Sequence, residues 1–365
     1  MKHRFERAPR ILLLLALGVG LVWGYSALNA AHQAAYPGLY ATPPFLFILL
    51  AIFLMLVTTP LVMYLTGAAC GYRLKRLQLL FVEITRRERL HVRLTGRIRL
   101  GILMLPPRTD GTAPCQLYVA SPFLCYGALG GLALLLSAVF WQTSAARGLL
   151  YAAFLLLLFL LVSLLPTTNR LDGLSVLLAL RRSREFRRSW ACAMYINGAL
   201  MDDCRLIDMP EDWFLTEPPS RISHPMFQAH IINSVSRRMR QERFDEAYAL
   251  LQPLLALPPG PATHAVIACS ILNGAVCEAL ASLPPVCLNQ LEQPSVQYMT
   301  PAAWQPRYLT ALYARALLID RDEKKAGELL AQLRQADPAQ IEDEMIRLLQ
   351  AKVENQTKEN PHEEQ

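Results

Sequence analysis

Residues 44–71 read PFLFILLAIFLMLVTTPLVMYLTGAACG and lead directly into Tyr72-Arg73-Leu74-Lys75-Arg76. About 20 apolar residues suffice to cross a bilayer core, so this run reads as a membrane span. Its second half is interrupted by Thr58, Thr59 and Pro60. Proline lacks a backbone donor and frees the carbonyl of Leu56, which a threonine hydroxyl or a neighbouring helix can satisfy. The interruption is expected to kink the helix.

Outward from this run, similar apolar stretches lie at 11–31, 122–142 and 148–166. Four transmembrane helices are therefore expected. A chain of 365 residues would ordinarily suggest two or three domains, but its 53% hydrophobic content is concentrated in the first half. The expected organisation is a four-helix membrane domain over 1–173, a helical domain over 174–355 and a polar tail over 356–365. Lys2, Arg4, Arg7 and Arg10 precede the first run, as in a secretory signal. Its core is longer than the roughly 7–15 residues of a signal and no small-x-small cleavage site follows, so it reads as a retained anchor.

Loops rich in Lys and Arg stay cytoplasmic. The 32–43 loop has neither residue, whereas the 72–121 loop has ten, and Arg170, Arg181, Arg182, Arg184, Arg187 and Arg188 follow the fourth run. Both termini and the helical domain are thus expected on the cytoplasmic side. The 72–121 loop, with only Glu83, Glu88 and Asp110 as acids, carries a +7 surplus equal to that of the whole chain. Nucleic-acid binders carry their basic face on a soluble domain; here the basic residues sit between spans, which points to anionic lipid headgroups and away from nucleic acid.

Within that loop Leu90, Val92 and Leu94 alternate with His91 and Arg93, and Ile98, Leu100 and Ile102 alternate with Arg97, Arg99 and Gly101. This period of two predicts two short strands turning at Thr95-Gly96, a small β ribbon on the cytoplasmic membrane surface. Pro106, Pro107, Asp110 and Gly111 end it. Gly20 with Gly24, and Gly127 with Gly131, have the spacing that lets membrane helices approach closely. The eight cysteines form no C-x-x-C pair and read as reduced core residues.

Beyond residue 174, Phe227, Ile231, Ile232, Val235 and Met239 share one helical face, and Phe244, Ala247, Leu250, Leu251 and Leu254 share the next. The stretches Glu242–Ala247 and Asp322–Leu330, about 79 residues apart, both look like second helices of tetratricopeptide-type units. An ordinary helical domain fits equally well. Asp202, Asp203, Asp208, Glu211 and Asp212 form an acidic cluster read as solvated surface, with Trp213-Phe214 anchoring it on a membrane-proximal helix. No phosphate loop, nucleophile elbow or dinucleotide fingerprint occurs.

One resemblance gathers these pieces. An interrupted helix, a Gly71-Tyr72-basic exit, a short ribbon, the Pro106-Pro107-x-x-Asp110-Gly111 turn, two further spans and Asn169-x-Leu171-Asp172-Gly173 follow in order. This order resembles the site-2-protease family of intramembrane zinc metalloproteases, in particular a bacterial branch with a stretch like Arg205-Leu206-Ile207-Asp208-Met209-Pro210-Glu211-Asp212-Trp213-Phe214. The resemblance implies a bacterial cytoplasmic membrane and a zinc site built from H-E-x-x-H plus a later aspartate. Aligned on Gly71-Tyr72, the histidine positions fall on Thr59 and Met63 and the glutamate position on Pro60. Only Asp172 is kept, as a vestigial ligand or as the N-cap of the next helix.

Catalytic zinc needs about three protein ligands and an open position, and proline cannot act as a base. A rebuilt site would have to recruit Cys70 or His91 with Asp172. The resemblance with these departures implies a proteolytically inactive relative that binds a membrane protein or peptide, with no cofactor expected. An active zinc metalloprotease with an atypical ligand set and a membrane-anchored helical-repeat adaptor are the alternatives. For any member of the family, Asp172 is expected to approach the Thr59–Met63 turn.

Overall fold

The computed structural model describes residues 2–37, 44–86, 89–164, 173–217, 222, 224–260, 263–291, 293–300, 304–335 and 343–359. The chain is mostly helical, divides into two compact units, 1–198 and 199–365, and has the helices of a multi-pass membrane protein. The division falls later than the 173/174 boundary expected from composition. Four helical stretches among the described residues are long and apolar enough to cross a membrane: Leu49–Ala69, Cys115–Val139, Ala145–Val162 and His264–Ala281.

The first unit contains α1 (Lys2–Ala35), α2 (Pro44–Ala69), a ribbon of β1 (Arg73–Arg86) and β2 (Leu90–Leu105), α3 (Cys115–Val139), α4 (Ala145–Leu164), α5 (Gly173–Arg182) and α6 (Arg184–Leu200). The first apolar run lies in α1, which is not among the four stretches above. From Leu17 onward α1 exposes Val19 and Trp23 and packs on α4. Tyr25 lies 5.2 Å from Tyr151 and 4.8 Å from Phe154, ring centre to ring centre. Arg147 Nε donates to Asn29 Oδ1 at 3.2 Å, and His32 Nε2 lies 3.0 Å from the Trp141 carbonyl oxygen.

As read from its apolar length, α2 is one continuous helix, and it runs through Pro60. The hydroxyls of Thr58 and Thr59 bond back to the carbonyls of Leu54 and Met55, one turn earlier, so the polar residues serve the helix's own backbone, as a span without water requires. The helix ends by reversal at Gly71, whose φ of +80° is natural for glycine. The N–H groups of Tyr72 and Gly71 donate to the carbonyls of Gly67 and Ala68 at 2.8 and 3.0 Å, a Schellman closure.

The ribbon is longer than its sequence pattern predicts. Residues 90–105 form one strand, and its partner is 73–86, so the reversal falls between Arg86 and Leu90. Leu80 pairs with Arg99 and Val82 with Leu94, which sets Phe81 alone against residues 95–98. Thr95-Gly96 therefore marks a bulge, where glycine in a strand is at home. The Thr95 hydroxyl pins it by donating to the Phe81 carbonyl at 3.2 Å.

The paired glycines do not bring helices together within this chain. A Cβ at Gly20, Gly24 or Gly131 would meet open space, and one at Gly127 only ordinary contact with Leu160 at 3.7 Å. Close approach uses Gly130, where a Cβ would sit 2.8 Å from Leu157, and Gly148, which lies under the Phe47 ring.

The second unit is built round α9 (His264–Ala281). Every residue from Ile267 to Ala279 is buried. A helix apolar all round belongs either in lipid or in a core; α9 is enclosed by α7 (Pro225–Arg240), α8 (Phe244–Leu255), α10 (Val286–Gln290), α11 (Pro294–Met299), α12 (Gln305–Leu318) and α14 (Asp343–Glu359). It is the core helix. The stretches expected as second helices fall in α8 and α13 (Glu323–Gln335), each packed on the helix before it, α7 and α12. α14 continues to Glu359, into the stretch expected to be a polar tail.

Two polar side chains, one of them fully buried, seat α9. Glu278 Oε1 accepts from the Tyr248 hydroxyl and the Cys287 N–H, both at 2.8 Å, and Oε2 accepts from the Leu288 N–H at 2.9 Å. Lys352 Nζ donates to the carbonyls of Ala279 and Leu280 and to the Ser282 hydroxyl, meeting the negative end of the helix. Trp213-Phe214 is seated on α7. The Arg237 guanidinium lies 4.6 Å above the Phe214 ring and donates to the carbonyls of Leu206 and Met209. Asp202, Asp203, Asp208, Glu211 and Asp212 are exposed.

Candidate functional site

On α2 the residues Ile52, Met55, Leu56, Thr59, Pro60 and Met63 recur every three or four positions and so face one way. That face lines a cavity of about 450 Å³, closed by Tyr126 of α3, Phe159 of α4 and Gly101 and Ile102 of β2. Thr59, Pro60 and Met63 are thus brought together on one wall. Asp172 lies outside the described residues, as does its expected approach to this turn.

The polar content of the cavity is one pair. The Thr59 hydroxyl has a single proton, donated to the Met55 carbonyl at 2.7 Å; its oxygen then accepts from the Tyr126 hydroxyl, with which it is in contact. Tyr126 packs edge-on to Phe159, with ring centres 5.1 Å apart. One residue earlier on each helix, Thr58 lies near the Cys125 thiol. Interhelical bonds in membranes average about 0.6 kcal/mol and reach about 1.7. Tyr126→Phe and Thr59→Val are each expected to cost about that much, and the double variant little more than either, read in a denaturant cycle on the detergent-solubilised chain.

Below the cavity the ribbon is fastened to the helices. A Cβ on Gly67 would lie 2.5 Å from Met104 Sδ and 3.1 Å from Tyr118 Cδ2, so β2 meets α2 where α2 has no side chain. Tyr72 stacks on Tyr118 at 4.9 Å, and Trp190 of α6 lies 6.3 and 6.0 Å from the two rings. The turn after β2 lies along α6: the Tyr195 hydroxyl donates to the Pro106 carbonyl at 2.7 Å, and Arg187 Nε donates to the Gly111 carbonyl at 2.8 Å. Burial pushes the Tyr195 hydroxyl above its ordinary pKa. The Asp110 side chain accepts from the Thr112 hydroxyl and N–H at 2.6 and 2.9 Å, and these bonds hold its carboxyl below the usual carboxylate range.

Of the residues named for a rebuilt zinc centre, His91 lies well away from the cavity along the ribbon. His91 pairs with Thr85, whereas the cavity residue Gly101 pairs with Gln78. That interval along β1 is roughly 23 Å at about 3.3 Å per residue. Among the described residues no three of His, Cys, Asp and Glu stand together as a metal ligand set. Chemically the cavity suits an apolar side chain or alkyl segment: its wall is aliphatic and aromatic, and its two hydroxyls bond each other.

Reasoning from sequence located the α2 wall and missed Tyr126, Phe159, Gly101 and Ile102. One signal for Tyr126 was present, since a tyrosine hydroxyl within an apolar run needs a polar partner. No protein-family model, no curated protein and no solved structure matches this chain.

Proposed function

We propose that this chain is a proteolytically inactive relative of the site-2 proteases, acting in a bacterial cytoplasmic membrane as a scaffold that binds a membrane protein or peptide. Both termini and the helical unit face the cytoplasm in this reading. The observation that carries it is the shared wall of Thr59, Pro60 and Met63: the positions aligned with H-E-x-x-H line one cavity, but present a hydroxyl, a proline ring and a thioether. None of these is an imidazole or a general base. The cavity keeps the space of a binding site with an apolar lining in place of ligands.

The test pairs two measurements. Zinc content of the purified chain by plasma mass spectrometry, beside Asp172→Ala, is expected to show no bound zinc in either. Near-stoichiometric zinc that is lost in Asp172→Ala would overturn the inactive reading in favour of a metalloprotease with another ligand set. A photo-crosslinking residue in place of Met63 is expected to capture a discrete membrane protein or peptide in cells, and a control at the exposed Leu65 is not.

A further inference from the structure

The distal part of the ribbon has two unlike faces. Directly opposed residues of an antiparallel pair lie on the same face, and successive pairs alternate. Val82 with Leu94, Ile84 with Val92 and Arg86 with Leu90 therefore share one face, and Glu83 with Arg93 and Thr85 with His91 share the other. On the second face Glu83 pairs with Arg76 at 2.6 Å and lies 3.8 Å from Arg93. The first face is uncovered: Leu90, Val92 and Leu94 are 60, 62 and 78% exposed. A row of exposed apolar residues on a two-stranded ribbon is an interaction surface or an aggregation hazard.

Its setting identifies what it meets. Residues 73–105 carry nine Arg and Lys against Glu83 and Glu88. The ribbon is rooted between α2 and α3, both long and apolar enough to span, and β2 lines the cavity beside α2. Apolar side chains backed by arginines are what the headgroup boundary accommodates: acyl chains take the first and anionic headgroups the second.

We propose that the Leu90-Val92-Leu94 face is an anionic-lipid anchor, seated at the headgroup boundary with Arg86, Arg89 and Arg93 on lipid phosphates. It fixes the distal part of the ribbon, whose other end forms the Gly101-Ile102 wall of the cavity, at the membrane surface. The anchor does not depend on kinship with proteases, because it would serve an active enzyme or an adaptor equally.

The test uses the full chain in nanodiscs, with Val92→Trp read as a fluorescence difference from the parent chain. In discs containing phosphatidylglycerol, the introduced indole is expected to be quenched by lipids brominated near the glycerol end of the acyl chain and shielded from aqueous iodide. Replacing Arg86, Arg89 and Arg93 with Gln is expected to lower the ratio of seated to free ribbon about fivefold per residue, from about 1 kcal/mol each. Iodide quenching in every lipid would overturn the proposal. Equal bromine quenching in pure phosphatidylcholine would overturn the anionic selectivity, and protection from both quenchers would instead assign the face to a protein or a second copy.

Discussion

Gly111→Ala is expected to destabilise the first unit by about 2–4 kcal/mol, combining a left-handed backbone cost with an overpacked contact. Gly111 has φ of +78°, and a Cβ there would lie 2.7 Å from the Arg184 carbonyl oxygen and 2.9 Å from the Arg188 nitrogen. Both are backbone atoms of α6 and cannot rotate aside. Relief would require the turn to lift, which would also break the bond from Arg187 Nε to the Gly111 carbonyl. Gly20→Ala is the matched control, because its Cβ meets nothing within 4 Å and alanine favours the helix by up to about 1 kcal/mol. Melting of the two detergent-solubilised variants should diverge, downward for Gly111→Ala and level or upward for Gly20→Ala. Coincident melting would show that the turn is not clamped on α6.

The second large effect is expected at Glu278. Replacing it with alanine leaves the N–H groups of Cys287 and Leu288 and the Tyr248 hydroxyl without their acceptor, in a site where Glu278 is 1% exposed. Each abandoned buried donor costs about 1–3 kcal/mol, so Glu278→Ala should cost about 3–5 kcal/mol. Glu278→Gln should cost less, because one acceptor oxygen remains while the amide nitrogen turns a donor toward donors. Urea-dependent proteolysis of the full chain, followed through fragments from the second unit, would order the three proteins. If Glu278→Ala and the parent are cut at the same urea concentration, the acidic seat of α10 contributes nothing.

The sequence showed the spans of α2, α3 and α4 because apolar runs of that length have few alternatives. α9 was read only as part of the helical domain, although its length and hydropathy equally satisfy a span. What separates the two environments is Glu278, whose carboxylate finds its partners on α8 and α10. β1 was missed because its pattern slips at Leu80, where φ is +55° and the bulge shifts Phe81 out of register; a strict period of two cannot survive that slip. Conversely Thr95-Gly96 has turn chemistry and was read as a turn, whereas long-range pairing places it inside a strand.

For the candidate site, the resemblance singled out Thr59, Pro60 and Met63, and their spacing along α2 sets them on one wall. The opposite wall comes from three other elements, and no local pattern on α3, α4 or β2 says which of their residues will face α2. Tyr126 is the instructive case. Its hydroxyl announces a need for a partner, but only the packed helices identify that partner as Thr59.

That hydroxyl pair also bears on how the two helices can vary. Thr59 and Tyr126 answer each other's polar need inside the bundle, so once one hydroxyl is lost the other has no partner across the interface. Change at positions 59 and 126 should therefore be tolerated jointly more readily than singly, which ties the two helices together in evolution as well as in space.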